Sequence, residues 1–196
     1  VMWAGNVRKN GIDYPDRILH SPVNMPDVFP DQNFVDIAGR DGDPIKHLEA
    51  IGNELLVFKQ RKLVILNIET MEDAVMKSTH EGHGVTNYRH VLKCQHGIIY
   101  INPTGVFLYD GAKTTNLFEE ESVRKISGER WKNESGWISD NLLDGQLDMG
   151  YSEENDKLII ALAVNNTTVE GDVIGTNKFG DTFTSGSIAA DDISTG

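Results

Sequence analysis

The chain has 196 residues, 39% of them hydrophobic and 24% charged, with 18 Lys and Arg against 30 Asp and Glu for a formal net charge of −12. That balance argues against a phosphate-gripping surface, which needs clustered cations. The single cysteine, Cys94, excludes an intrachain disulfide and a thiolate zinc cluster. No apolar run reaches the length of a membrane span, and no signal-peptide pattern opens the chain. Starting at Val1 and stopping at Gly196, it reads as a processed product or a fragment of a longer protein.

From the N-terminus, Met2 to Tyr14 predicts a hairpin turning at Asn10-Gly11, a dipeptide suited to two left-handed positions. Pro15, Pro22, Pro26 and Pro30 then punctuate an extended run in which proline interrupts helices and strand pairing. Residues 1–40 are thus expected to form a hairpin followed by a proline-rich segment.

The next segment is written twice. His47 to Ile68 lies over His90 to Gly111 without a gap, at a constant shift of 43 residues. Leu55, Leu56, Val57 and Phe58 fall on Ile98, Ile99, Tyr100 and Ile101, and Leu63 to Leu66 fall on Val106 to Tyr109. The turns Lys59-Gln-Arg-Lys62 and Asn102-Pro-Thr-Gly105 also coincide. Each copy predicts one strand followed by a hairpin of two short strands, with apolar runs suited to burial on both faces. A fainter third copy begins near Leu147, with a turn at Asn155-Asp156 and a buried run from Leu158 to Ala163. Such spacing fits the blades of a β-propeller; unrelated hairpins in a β-sandwich or barrel are the alternative.

The expected fold class is therefore mainly β: propeller-like repeats of short antiparallel blades, a proline-rich N-terminal segment, and a mixed insertion containing short helices. Two repeats occupy 41–117, a connection 118–146, and a third partial repeat with a Gly/Thr/Asp-rich end 147–196. Within the connection, Glu119-Glu-Glu-Ser-Val-Arg-Lys-Ile126 places acids first and bases last, as a helix dipole prefers.

The reactive side chains give little. His80, His83, His90 and His96 lie near Cys94, but their spacing matches no zinc pattern. Asp41-Gly-Asp-Pro44 is read as a turn leading into a strand at Ile45, because an EF-hand would need a glutamate where Gly52 stands. Asp140, Asp144 and Asp148 read as a solvated connection. Gly82-His-Gly84 and the stretch from Gly186 lack the glycine spacing of a phosphate loop or nucleophile elbow. Cys94, aligned on Ile51, is expected to pack as a small apolar residue. Trp131 and Trp137 either stack on a sugar ring, plug a neighbouring subunit, or anchor the long connection. No catalytic, cofactor-binding or metal-binding residues are assigned, no cofactor is expected, and an enzyme is not expected.

Four stretches carry a resemblance. Asp13-Tyr-Pro-Asp-Arg-Ile-Leu-His-Ser21 with the prolines after it, Asp41-Gly-Asp-Pro-Ile45, and Glu54-Leu-Leu-Val-Phe-Lys59 with Gly105-Val-Phe-Leu-Tyr-Asp-Gly111 resemble tailed-bacteriophage virion proteins. These are the β-propeller-containing tail nozzle, tail tubular and head-to-tail stabilisation proteins. The resemblance covers about residues 6 to 111. It implies a viral structural protein in the tail or head-tail connector, forming a homo-oligomeric ring that extends or seals the conduit used in DNA ejection. The implied partners are copies of itself, neighbouring tail or connector proteins, and passing DNA without sequence-specific contacts. The implied location is the virion, after assembly in the host cytoplasm. The alternative is a propeller or sandwich binding module recognising a glycan or host surface through loops such as 165–196.

Overall fold

The computed structural model describes residues 1–37, 39, 41–70, 74–120, 123–124, 131, 147–162, 171–172 and 187–188. Strands dominate, arranged in several small antiparallel sheets, and the chain divides into two compact units, Val1–Tyr88 and Arg89–Gly196.

In the first unit, β1 (Trp3–Lys9) and β2 (Ile12–His20) form the predicted hairpin. Lys9 pairs with Ile12, and the two turn residues Asn10 and Gly11 take φ of 52° and 79°, the left-handed pair of a type I′ turn. Pro15 does not end β2, as the sequence suggested. The register runs from Val7↔Tyr14 to Gly5↔Ile18, leaving Asn6 alone opposite three residues that include Pro15. On the other side, β3 (Phe34–Asp36) pairs only with Arg17 to Leu19. The missing N–H of Pro15 therefore falls in a bulge and costs no ladder bond. From Pro22 to Asn33 the chain makes successive turns, with Met25 N–H on Pro22 O, Val28 on Met25 and Asn33 on Pro30.

The two copies fold alike. β4 (Ile45–Ile51), β5 (Glu54–Lys59), β6 (Lys62–Asn67) and β7 (Val75–Glu81) form one sheet in chain order. In the second unit, β8 (Val91–Cys94), β9 (Gly97–Asn102), β10 (Gly105–Tyr109) and β11 (Thr114–Asn116) form another. Even the register repeats: Phe58 faces Leu63 as Ile101 faces Val106, and Leu48 faces Val57 as Val91 faces Tyr100. Leu55 to Phe58, consecutive and so on alternating faces, are each at most 2% exposed, which confirms strands covered on both sides. One face of the first sheet carries Leu55, Val57, Val64 and Leu66 and packs on Ile18 and Ile37 from the N-terminal segment. In the second unit, Ile99, Ile101 and Val106 pack with Phe118, Trp131, Leu158 and Ile160.

The predicted helix from Glu119 to Ile126 is not formed. β12 (Glu119–Glu120) and β13 (Val123–Arg124) pair as a short antiparallel ladder. Eight residues repay helix nucleation poorly, and most of their backbone groups would be helix-end groups lacking partners. Most of the connection, Trp137, Asp140 and Asp144 included, lies outside the described residues. The third copy gives the hairpin of β14 (Leu147–Ser152) and β15 (Lys157–Leu162), turning through Asp156 at φ 51°. Its apolar run is buried on one face only: Leu158 and Ile160 are covered while Ile159 is 38% exposed. β15 therefore alternates where β5 and β9 do not. Two further short strands, β16 (Gly171–Asp172) and β17 (Ser187–Ile188), pair with each other. The rest of 165–196 lies outside the described residues. Among them no helix is long and apolar enough to cross a membrane.

Candidate functional site

A dense group of charged side chains lies in the first unit, and three of its members, Asp16, Asp41 and Lys59, come from stretches that carry the resemblance. Lys59 ends β5, after four apolar residues that pull the strand into the core. Its side chain is fully buried, so its ammonium has to find oxygen partners inside the protein. Nζ donates to Asp16 Oδ1 at 3.0 Å, to Asp41 Oδ1 and Oδ2 at 2.9 and 3.0 Å, and to the Ile37 carbonyl at 3.1 Å. Lys62, across the hairpin turn, reaches Asp41 Oδ2 at 2.6 Å. Burial works against the Asp41 charge, yet hydrogen bonds from Lys62, Lys59 and the Asp43 N–H outweigh it and hold that carboxyl far below its usual range. The same contact raises Lys62.

Asp41-Gly-Asp-Pro44 is the turn the sequence predicted. Gly42 sits at φ 70°, the Asp43 N–H bonds Asp41 Oδ1 at 3.0 Å, and β4 starts at Ile45. Asp43, 2% exposed, accepts the Arg61 backbone N–H at 3.0 Å. The opposite side of the same hairpin turn is closed by Gly82 N–H on Arg61 O and Val85 N–H on Lys59 O, both 2.9 Å. Gly84 lies so close that a Cβ there would stand 2.5 Å from the Arg61 and Gln60 backbone, a packing reason for that glycine.

The remaining motif residues are also structural. Arg17 forks onto Asp36 through Nε and Nη2 at 2.7 and 2.8 Å and lies over the rings of Tyr14 and Phe34. Ser21, 1% exposed, accepts the Met2 N–H and donates to the Pro22 carbonyl. Gly5 leaves room for Ile45 and Leu48, whose carbons come within 3.1 and 3.2 Å of where its Cβ would be.

The histidines are divided between the two units. His80 and His83 belong to the first unit, with ring centres 5.9 Å apart, and His90, Cys94 and His96 to the second. No group of three or more His, Cys, Asp or Glu fit to hold a metal ion occurs among the described residues. Burial lowers His83 and pushes His90 down to about 4. His96 bonds Asp156 at 2.7 Å, joining the tips of the β8–β9 and β14–β15 hairpins, and Tyr151 donates to the same carboxylate. Cys94 packs at the margin of the second core, as an apolar side chain would. Asp148 pairs with Arg89 at 3.1 Å.

Trp131 is the anchor of the connection. It is 2% exposed, donates Nε1 to the Asn102 carbonyl at 3.0 Å, and meets Phe118 edge-on at 4.9 Å. A ring so enclosed offers no face to a sugar. Asn102 occupies the repeat position of Lys59, so the same turn is pinned in both copies by different chemistry. The sequence reading placed Lys59 in the turn and missed its role, although a lysine closing an apolar run of four was a signal of a buried partner. No protein-family model matches the chain, and no curated protein matches it.

Proposed function

We propose that the chain is a structural protein of a tailed-phage virion, part of a ring in the tail or head-to-tail connector that extends or seals the DNA conduit. In this reading its four-stranded sheets are blades of a β-propeller. One observation carries it. The residues of the resembling motifs are all engaged inside the protein: Lys59 on Asp16 ties the first repeat to the N-terminal segment, Arg17 and Ser21 brace that segment through Asp36 and Met2, and Asp41 and Asp43 brace the repeat through Lys59 and Arg61. Polar groups used up in this way hold a scaffold and leave nothing to act on a substrate. Repeated sheets with a shared register suit a protein whose work is done by assembly.

The test is the native assembly. Electron microscopy with native mass spectrometry is expected to give a homomeric ring around a channel. A monodisperse monomer at high concentration would overturn the reading.

A further inference from the structure

The Lys59 cluster brings together what an amide-forming reaction requires: a buried amine, a carboxyl to receive it, and a second carboxylate to move protons. We infer that Lys59 and Asp16 are the partners of an intramolecular isopeptide bond, with Asp41 as the proton relay. This goes beyond the virion reading and does not depend on it.

Nζ of Lys59 stands 3.0 Å from Asp16 Oδ1, so the fold holds the amine against the carboxyl group it would attack. The two residues are 43 positions apart, on β2 and β5, so the fold alone supplies the approach. The Lys59 side chain is 0% exposed and that of Asp16 12%. Ionising both groups in such a place is costly, and a neutral amide removes the cost. Asp41 is the other carboxylate on the amine, at 2.9 and 3.0 Å. It also holds Lys62 and the Asp43 N–H, which keep it anionic and make Asp16 the electrophile. The Ile37 carbonyl, 3.1 Å from Nζ, fixes the amine's remaining direction.

The reaction balances without any co-reactant. Asp41 accepts a proton from the ammonium, and the free amine attacks Cγ of Asp16, forming the C–N bond. The C–O bond then breaks, and the departing oxygen leaves as water, taking up the protons released by nitrogen. Ammonium and carboxylate become amide and water, with no net change in charge.

The experiment is intact-mass measurement of the folded, purified chain under denaturing conditions after prolonged incubation. The expected mass is lower than that of the sequence by one water. Tryptic digestion is expected to yield Asn10–Arg17 joined to His47–Arg61, because an acylated Lys59 is no longer cleaved. Lys59→Arg and Asp41→Asn are expected to keep the full mass. A folded wild-type chain of full mass would overturn the inference. A cross-linked peptide containing Asp41–Lys46 instead of Asn10–Arg17 would overturn the assignment to Asp16. Loss of water in the Asp41→Asn variant would overturn the relay role.

Discussion

Asp41 is held in its charged form by two lysines and a backbone N–H, and this has a consequence in acid. The folded carboxyl titrates below the roughly 3.9 of an unfolded aspartate. The contribution is complete above that unfolded value and is lost as pH falls towards the folded one. Asp41→Asn is therefore expected to lower stability at pH 7 and to flatten the loss between pH 5 and pH 2, seen in urea midpoints. Parallel acid profiles for wild type and variant would contradict this. Trp131 is the other residue with a large individual effect. Truncation to Ala should cost the second unit about 3–5 kcal/mol. Trp131→Phe, which keeps most of the packing and loses the bond to Asn102, should cost nearer 1 kcal/mol. Equal losses in chemical denaturation would show that the indole N–H has no separate part. Neither role was legible in full. Trp131 could be suspected as an anchor, but its acceptor lies 29 positions away. Asp16 and Asp41 lie 43 and 18 positions from Lys59.

Strands whose side chains are apolar and consecutive could be read from the sequence because burial on both faces leaves that mark. β5, β6, β9 and β10 were legible in this way, and Asn10-Gly11 was legible because few dipeptides accept two left-handed positions. The fourth strands were not. β7 is mostly exposed and polar, and it is a strand because β6 offers it a ladder edge. Glu119 to Ile126 misled for the converse reason, its charge order suiting a helix too short to hold itself together. Gly97 tests the hairpin geometry most directly. It lies at φ 137°, and an added Cβ would come within 2.1 Å of the Tyr109 carbonyl oxygen. Gly97→Ala should destabilise by on the order of 3 kcal/mol. Gly150→Ala, on β14 with nothing within 4 Å, should be neutral or stabilising by about 0.5 kcal/mol. Thermal melts of the two variants would distinguish them, and similar shifts would refute the steric argument.

For the whole molecule, the net charge of −12 sets how it meets a polyanion. A wall along which duplex DNA slides should not hold phosphate, and like charge prevents holding. Electrophoretic mobility shifts at about physiological salt are expected to show no binding of duplex DNA. Binding that weakens steeply with added salt would mean a basic surface gathered from scattered residues and would argue against a conduit wall of this kind.

Two sheets of matching register in one chain raise a problem of address, since a segment that fits one can settle on the other. Position 59 carries a buried lysine and its counterpart, position 102, an asparagine tied to its own turn through Thr104. Among the described residues, a segment bearing Asp16 finds its buried cation on the first sheet, at Lys59. Set on the second, its carboxylate would be stranded without one. The residue at this one repeat position thus tells the folding chain which copy is which.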